Sequence, residues 1–195
     1  MKKRIFTLLF VVATLVSCDV AKEFSGVSNL ISCKYSYNSI SNMSVSGINL
    51  NNGLSLTAVP KITSILTGTA TSIPLDFTLN LNVNNPNQSA ALMHGLQYVI
   101  SIDGIQFTTG SLNQSLNIGA GQTQVLPLTI GVDLATLMKN NSKDAVVDIA
   151  KNFIGIGTKE SNVTIQIKPT FMIGNTPVAS PVYIPVSFSF GGKKA

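Results

Sequence analysis

The sequence is poor in charge, and especially in arginine. Of its 195 residues, 11% are charged, and Arg4 is the only arginine. Setting aside Lys2, Lys3 and Arg4, which belong to a segment expected to be removed, lowers the formal net charge from +5 to about +2. Proteins that bind phosphates use arginine side chains, which donate two parallel hydrogen bonds, and clusters of lysines. Nucleic-acid binding is therefore not expected, and neither is charge-based binding of acidic polymers.

Groups that perform catalysis are equally scarce. His94 is the single histidine, whereas a catalytic triad or a zinc site needs several such groups converging. The acidic residues are scattered, and Asp103 and Asp133 already fit local roles as a turn former and a helix cap. We expect a non-enzyme with no catalytic residues, no metal site and no cofactor. Two or three titratable groups meeting in a deep pocket would revive the enzymatic alternative.

The chain has only two cysteines, and the first of them ends an N-terminal apolar run. In the string MKKRIFTLLFVVATLVSC, a basic start precedes apolar residues 5–16 and then Ser17 and Cys18. The run is shorter than the roughly 20 residues that span a bilayer, and it has the proportions of a secretory signal. An ordinary signal peptide cut at a small residue is the simpler alternative.

The end of this string, Leu15-Val16-Ser17-Cys18, resembles the bacterial lipobox. The resemblance implies cleavage before Cys18, a diacylglycerol on its thiol and acylation of the new N-terminus, and two or more acyl chains anchor a protein stably. We therefore expect a lipoprotein signal peptide over residues 1–17 and a lipidated tether over residues 18–32. The protein would be exported to the cell envelope, with the outer membrane favoured over the inner. Cys33 would then have no partner and is expected to be buried as a small hydrophobe.

Alternation of apolar and polar residues indicates strands along most of the remaining chain. The string PLDFTLNLNVNN alternates throughout its length. Residues 95–112 have the pattern of a hairpin with its turn at Asp103-Gly104. Pro127 indicates that its own strand lies at the edge of a sheet. Helical spacing over residues 56–68 and 134–153 indicates short helices, the latter with caps at Asp133 and Ser142. About seven strands with short helical insertions predict a mostly β, antiparallel β-sandwich as a single domain over residues 33–195.

Asn85-Pro86-Asn87 ends the most regular of these strands. The residue before a proline is pushed to extended geometry, and proline donates no ladder bond. Asparagine tolerates left-handed geometry and bonds the backbone two residues on. The motif is therefore interpreted as a strand exit that belongs to the fold, with no catalytic role.

The flanks of this motif resemble the late embryogenesis abundant group-2 domain, also called the water-stress and hypersensitive-response domain. The resemblance covers residues 72–190 and rests on the strand before Asn85-Pro86-Asn87, the hairpin strand GLQYVISIDG, a turn at Gly110, the strings IGAGQTQ and DLATL, and the closing strand VYIPVSFSF. It implies an immunoglobulin- or fibronectin-like sandwich with a helical segment, and an association with desiccation and stress protection. The family is not known for enzymes, so no catalytic residues are carried over.

Two functional hypotheses follow. The first is a non-enzymatic envelope lipoprotein, held to a membrane by the lipid on Cys18 and acting in binding, assembly or stress protection, with another envelope protein as a candidate partner. The alternative is a surface module that binds a glycan or a partner lipoprotein. The polar strand positions Asn80, Asn82 and Asn84 are interpreted as solvated rather than as a contact surface.

Overall fold

The structure is a computed structural model that describes residues 28–51, 55–173 and 175–192. The predicted signal peptide, the predicted lipidation site Cys18 and the first ten residues of the predicted tether lie outside the described residues. The last five residues of that tether, 28–32, form a helical turn, and its Leu30 is 1% exposed within the hydrophobic core. This end of the predicted tether is therefore packed against the folded domain.

One sheet of the domain carries the strand that leads to the Asn-Pro-Asn motif. All neighbours in it are antiparallel, and its spatial order is β2, β1, β3, β8. The strands are β1 (Lys34–Val45), β2 (Ile48–Asn49), β3 (Pro74–Asn84) and β8 (Thr123–Asp133). Pro127 lies in β8 at the edge of the sheet, as its missing N–H donor requires.

The second sheet faces the first and is also antiparallel. Its order is β6, β5, β9, and both β10 and β11 pair with the far side of β9. The strands are β5 (Gly95–Ile102), β6 (Ile105–Leu112), β9 (Glu160–Ile173), β10 (Thr176–Ala179) and β11 (Ile184–Gly191). A small separate pair joins β4 (Ala91–Met93) to β7 (Leu116–Ile118).

The predicted sandwich of about seven strands is confirmed. The seven strands of eight residues or more are β1, β3, β5, β6, β8, β9 and β11. The sequence prediction missed the short strands β2, β4, β7 and β10, which have two to four residues. Such short segments carry too little alternation to be recognised before their pairing partners are known.

The core lies between the two sheets and is filled by the inward positions of the alternating strands. Leu75, Phe77, Leu79, Leu81 and Val83 of β3 are all at most 3% exposed. They share the core with inward residues of the opposite sheet, namely Leu96, Ile100, Ile102, Val163, Ile165 and Ile167. Because burying each large aliphatic side chain contributes about 1.5–3 kcal/mol, this shared interior is the main source of stability.

Three helices cover the end of the sandwich where β3 begins. They are α1 (Ala58–Thr67), α2 (Leu134–Asn140) and α3 (Lys143–Phe153). Asp133 caps α2 by accepting bonds from the backbone N–H groups of Ala135 and Thr136, and Ser142 caps α3 by accepting one from Ala145. Both predicted caps are confirmed. This end is called the helix end below.

Gly110 does not form the turn that the family resemblance suggested. It lies inside β6, directly opposite Tyr98 of β5. A Cβ at this position would overlap the Tyr98 ring and hydroxyl, so the glycine leaves room for the tyrosine. The turn of this hairpin is at Asp103 and Gly104, which have positive φ angles of 50° and 81°, as a two-residue hairpin turn requires.

Candidate functional site at the Asn-Pro-Asn motif

The Asn-Pro-Asn motif lies where β3 leaves its sheet, at the end of the sandwich opposite the helices. Asn85 is completely buried, at 0% exposure, while Pro86 is exposed. The backbone N–H of Asn85 donates to the carbonyl of Gln122, at 2.8 Å. The chain therefore remains attached to the loop before β8 after the last ladder pair, Asn84 with Thr123.

The buried side chain of Asn85 uses both its donor and its acceptor. Its Nδ2 group donates to the carbonyls of Ser89, Ile118 and Gly119, at 2.9, 2.9 and 3.1 Å. Its Oδ1 atom accepts from the N–H and the Nδ2 group of Asn87, at 3.1 and 2.8 Å. A side-chain amide offers two donor hydrogens and two lone pairs, so this group is fully used and one hydrogen is shared between carbonyls.

Asn87 and Asn29 extend these bonds to the N-terminal helical turn. Asn87 donates from Nδ2 to the carbonyl of Asn29, at 3.0 Å. In return, the Nδ2 group of Asn29 donates to Ser89 Oγ at 2.6 Å and to the Ala90 carbonyl at 3.2 Å. We call Asn29, Asn85, Asn87 and Ser89 the asparagine node. It joins the start of the described chain, the exit of β3 and the loop after β7.

The asparagine node offers hydrogen bonds without ionisable chemistry. Amides stay neutral across the physiological pH range, and a buried amide with its bonds made fixes geometry rather than transferring protons. The interpretation of Asn85, Pro86 and Asn87 as a fold motif therefore agrees with its geometry. The sequence pattern indicated the local turn, but the partners Asn29, Ile118 and Gly119 are distant in sequence and were missed.

The titratable side chains singled out from the sequence lie apart and have local partners. His94 is exposed, with Nδ1 3.4 Å from Ser115 Oγ. Asp103 Oδ1 accepts from the N–H of Asn162 at 2.8 Å. Hydrogen bonding from Ser72 Oγ, together with backbone N–H bonds at the cap, lowers the pKa of Asp133. Among the described residues, no three His, Cys, Asp or Glu side chains are grouped to hold a metal ion.

Cys33 is buried, as expected from the sequence. It is 6% exposed, and its Sγ donates to the carbonyl of Asn29 at 3.3 Å. Burial raises the pKa of its thiol to about 11, which keeps the thiol protonated and unreactive at neutral pH.

The polar positions of β3 have partners on the neighbouring strands of their sheet. Asn80 donates to Ser41 Oγ at 3.1 Å, and Asn84 donates to Thr123 Oγ1 at 2.9 Å. The side-chain Oδ1 atom of Asn82 accepts from Asn38 Nδ2 at 2.8 Å. These half-buried side chains satisfy one another across the strands, which favours the interpretation of a solvated face.

A shallow groove of about 380 Å³ on the second sheet was not recognised from the sequence. Its lining includes the polar residues Gln97, Thr109 and Ser111, together with Tyr183. Tyr183 is 47% exposed, and Lys168 Nζ lies 5.3 Å from the centre of its ring. Alternation in the predicted closing strand VYIPVSFSF places Tyr183 on the face opposite Ile184 and Val186, but the residues of other strands that complete the groove could not be obtained from the sequence.

A sequence profile of the late embryogenesis abundant protein family matches residues 80–187 of this chain, a span that includes Asn85-Pro86-Asn87 and the loop it binds. The chain belongs to this family. The match confirms the resemblance to the group-2 domain and a β fold like that of these stress proteins. Comparison with curated proteins gives no match.

Several solved structures are also similar to the chain. A protein from Archaeoglobus fulgidus is 16% identical, with 66% of this chain and 93% of that one covered and a TM-score of 0.38. A protein from Arabidopsis thaliana is 12% identical, with 64% and 74% covered and a TM-score of 0.41. A structure described as a late embryogenesis abundant protein is 14% identical, with 95% and 89% covered and a TM-score of 0.40.

Proposed function

We propose that this protein is a non-enzymatic lipoprotein of a bacterial cell envelope. In this proposal, residues 1–17 direct export, Cys18 carries the lipid, and the segment after it connects the membrane to the β-sandwich. The outer membrane is favoured over the inner as its location. No helix in the described part of the chain is both long and apolar enough to cross a membrane.

The lipobox-like string Leu15-Val16-Ser17-Cys18 carries this proposal, and the asparagine node is the structural observation that agrees with it. In an anchored domain, the first folded segment must be firmly bonded to the rest of the domain, because this segment transmits any force between the membrane and the domain. Here Asn29 in the first described turn exchanges side-chain bonds with Ser89, Ala90 and Asn87. The next residue, Leu30, is 1% exposed in the core. The first described turn is therefore held by half-buried and exposed amide bonds of Asn29 and Asn87 and by the apolar packing of Leu30.

A role in stress protection is supported by family membership and by the chemistry of the surface. With 11% of residues charged, the domain relies little on ion pairs, which weaken as salt concentration rises. Its cross-strand bonds, such as Asn80 with Ser41 and Asn84 with Thr123, join neutral groups. Neutral bonds of this kind retain their strength when water loss concentrates the surrounding salt.

Lipidation is tested by growing cells that express the full chain with a labelled fatty acid. We expect the wild-type protein to incorporate the label and to fractionate with membranes, and Cys18→Ser to lose both properties. Cys33→Ala is the matched control and should keep the label, because Cys33 is buried and distant in sequence from the predicted cleavage site. Equal labelling of wild type and Cys18→Ser would refute the proposed anchor.

The protective role is tested by drying a client enzyme with this protein and rehydrating it. We expect the client to keep more activity than it does with the same mass of an inert protein. Equal recovery in the two samples would leave the anchor in place but remove stress protection from the proposal.

A surface binding module is the second candidate, and the groove at Tyr183 is the observation in its favour. An exposed aromatic ring beside amide and hydroxyl groups suits a sugar, which stacks an apolar face and bonds through its hydroxyls. A glycan array tests this candidate with Tyr183→Ala, and Val182→Ala serves as a control because the two side chains are 47% and 48% exposed. A selective signal that only Tyr183→Ala removes would establish glycan binding at the groove.

A further inference from the structure

We infer that the end of the sandwich that contains the asparagine node contacts an anionic lipid surface. This node end consists of residues 28–34, 84–97, 111–123, 168–173 and 175–180. The inference rests on the proposed lipid anchor at Cys18 and adds an orientation of the domain to it. Three observations support it: the place where the chain enters the domain, the distribution of charge and the position of exposed aliphatic side chains.

The chain enters the domain at the node end. Asn29 bonds to Ser89 and Ala90, next to the exit of β3. Cys18 precedes Ser28 by ten residues, which reach at most about 36 Å when fully extended. β3 has 11 residues, so the helix end lies about 36 Å from the node end along the sandwich. A lipid on Cys18 therefore keeps the node end near the membrane, whereas the helix end would touch the membrane only if all ten residues were fully extended.

The acidic side chains of the described residues all lie at the helix end. They occupy the start of β3, the β5–β6 turn, the cap of α2, helix α3 and the start of β9, as Asp76, Asp103, Asp133, Asp144, Asp148 and Glu160. The helix end also carries five lysines, so its six acids and five lysines sum to about −1, whereas the node end carries Lys34 and Lys168 with no acid among the described residues and sums to +2. Each lysine near an anionic leaflet contributes about 1 kcal/mol of attraction, so the charge distribution favours the node end facing such lipids.

Three exposed aliphatic side chains lie at the node end, whereas Leu56, 93% exposed, lies just before α1 at the helix end. Ile31 is 38% exposed, Leu92 is 45% exposed and Ile173 is 36% exposed. They belong to the N-terminal turn, to β4 and to the last residue of β9. These parts of the chain meet at the node end, where Ala90 accepts from Asn29 and the N–H of His94 donates to the carbonyl of Thr170 at 2.8 Å. Aliphatic side chains with nearby lysines are what an interfacial lipid contact requires.

The inference is tested by placing a fluorescent label on the full-length protein bound to vesicles through its own N-terminus. Leu92→Cys carries the label at the node end, and Asn140→Cys carries it at an exposed site of the helix end. The buried Cys33, whose thiol pKa is raised to about 11, should not take the label. Brominated lipids in vesicles with and without anionic phospholipid then quench each label according to its distance from the bilayer.

We expect strong quenching at position 92 and little at position 140 on anionic vesicles, with the difference shrinking on neutral ones. Lys34→Glu combined with Lys168→Glu should lower quenching at position 92 to the level at position 140. Equal quenching at the two positions in protein that floats with vesicles would overturn the orientation and leave the anchor intact. Protein that fails to float would overturn the anchor and the orientation together.

Discussion

The two ends of the sandwich are closed by different interactions. At the helix end, the Phe153 ring packs against Phe77 and Phe190, with centroids 4.6 and 4.8 Å away. At the node end, Asn85 is completely buried and bonds to three backbone carbonyls. Apolar packing accepts other side chains of similar volume, whereas an amide site requires donors and acceptors at fixed positions. The comparison predicts that the helix end tolerates conservative substitution and the node end does not.

Phe153→Ala should have the largest effect. Removing a ring that packs against two others leaves a cavity and should cost about 3–5 kcal/mol of unfolding free energy. Urea denaturation measures the loss. Phe153→Leu fills most of the volume and should cost less than about 2 kcal/mol. If leucine were as damaging as alanine, the helix end would depend on ring geometry rather than on apolar volume.

Asn85→Ala should have the second-largest effect. It should lower the unfolding free energy by roughly 2–3 kcal/mol, because it leaves buried carbonyls without donors. Asn85→Asp keeps the size of the side chain but cannot donate to Ile118 or Gly119 when ionised, so it should not restore stability at neutral pH. The same denaturation experiment compares both variants with Asn87→Ala, which leaves the carbonyl bonds of Asn85 in place and should cost less. Wild-type stability in Asn85→Asp would show that shape alone is needed at this site.

The cap of α2 adds a pH-dependent contribution to the helix end. Bonds from Ser72 and from the backbone lower the pKa of Asp133 below 3.8, so its ionised form is favoured in the folded state. This stability is fully present above pH 3.8 and is lost as the pH falls through the lower folded pKa. Asp133→Ala should cost about 1 kcal/mol at pH 7.

Melting temperatures at pH 7 and pH 2 measure this contribution. Asp133→Asn retains a capping oxygen but not the charge, so it should melt below the wild type at pH 7. The difference should become smaller at pH 2. A difference that stays constant between the two pH values would refute a role for the charge.

The outer polar face of β3, between the two ends, should be the region least sensitive to substitution. Asn82→Ala removes one half-buried, cross-strand bond near solvent and should change the unfolding free energy by less than about 0.5 kcal/mol. The denaturation midpoint measures it, with Asn85→Ala as the reference for a buried asparagine. A loss as large as that of Asn85→Ala would show that the outer asparagines are structural in the same way as the node.

This difference in chemistry also explains which features the sequence could predict. The helix end depends on signals within a few residues, such as Asp133 before α2 and Ser142 before α3, and these caps were recognised. The long strands follow from alternation, as in residues 74–84. The node end depends on Asn29, Asn85 and Ile118, which meet only after the chain folds. Local patterns could therefore identify the exit of β3 but not the bonds that make it a junction.

The same reasoning applies to the groove and to the node end. The β4–β7 pair lies outside long alternating segments, and the residues that line the groove with Tyr183 belong to strands that meet only after the chain folds. Family resemblance correctly identified the fold, but it misplaced Gly110 in a turn. The role of that glycine depends on Tyr98, twelve positions away and on the neighbouring strand.

The central claim is that the asparagine node fastens the N-terminal turn to the sandwich, and native-state hydrogen exchange on Asn85→Ala tests it most directly. The informative amides are Cys33, which donates to Leu30, and Gln122, which donates to Gly119. Both should lose protection together in the variant, while the amide of Val146 in α3 keeps its wild-type protection relative to global unfolding. Unchanged protection at Cys33 while Gln122 opens, or an equal loss at all three amides, would contradict the claim.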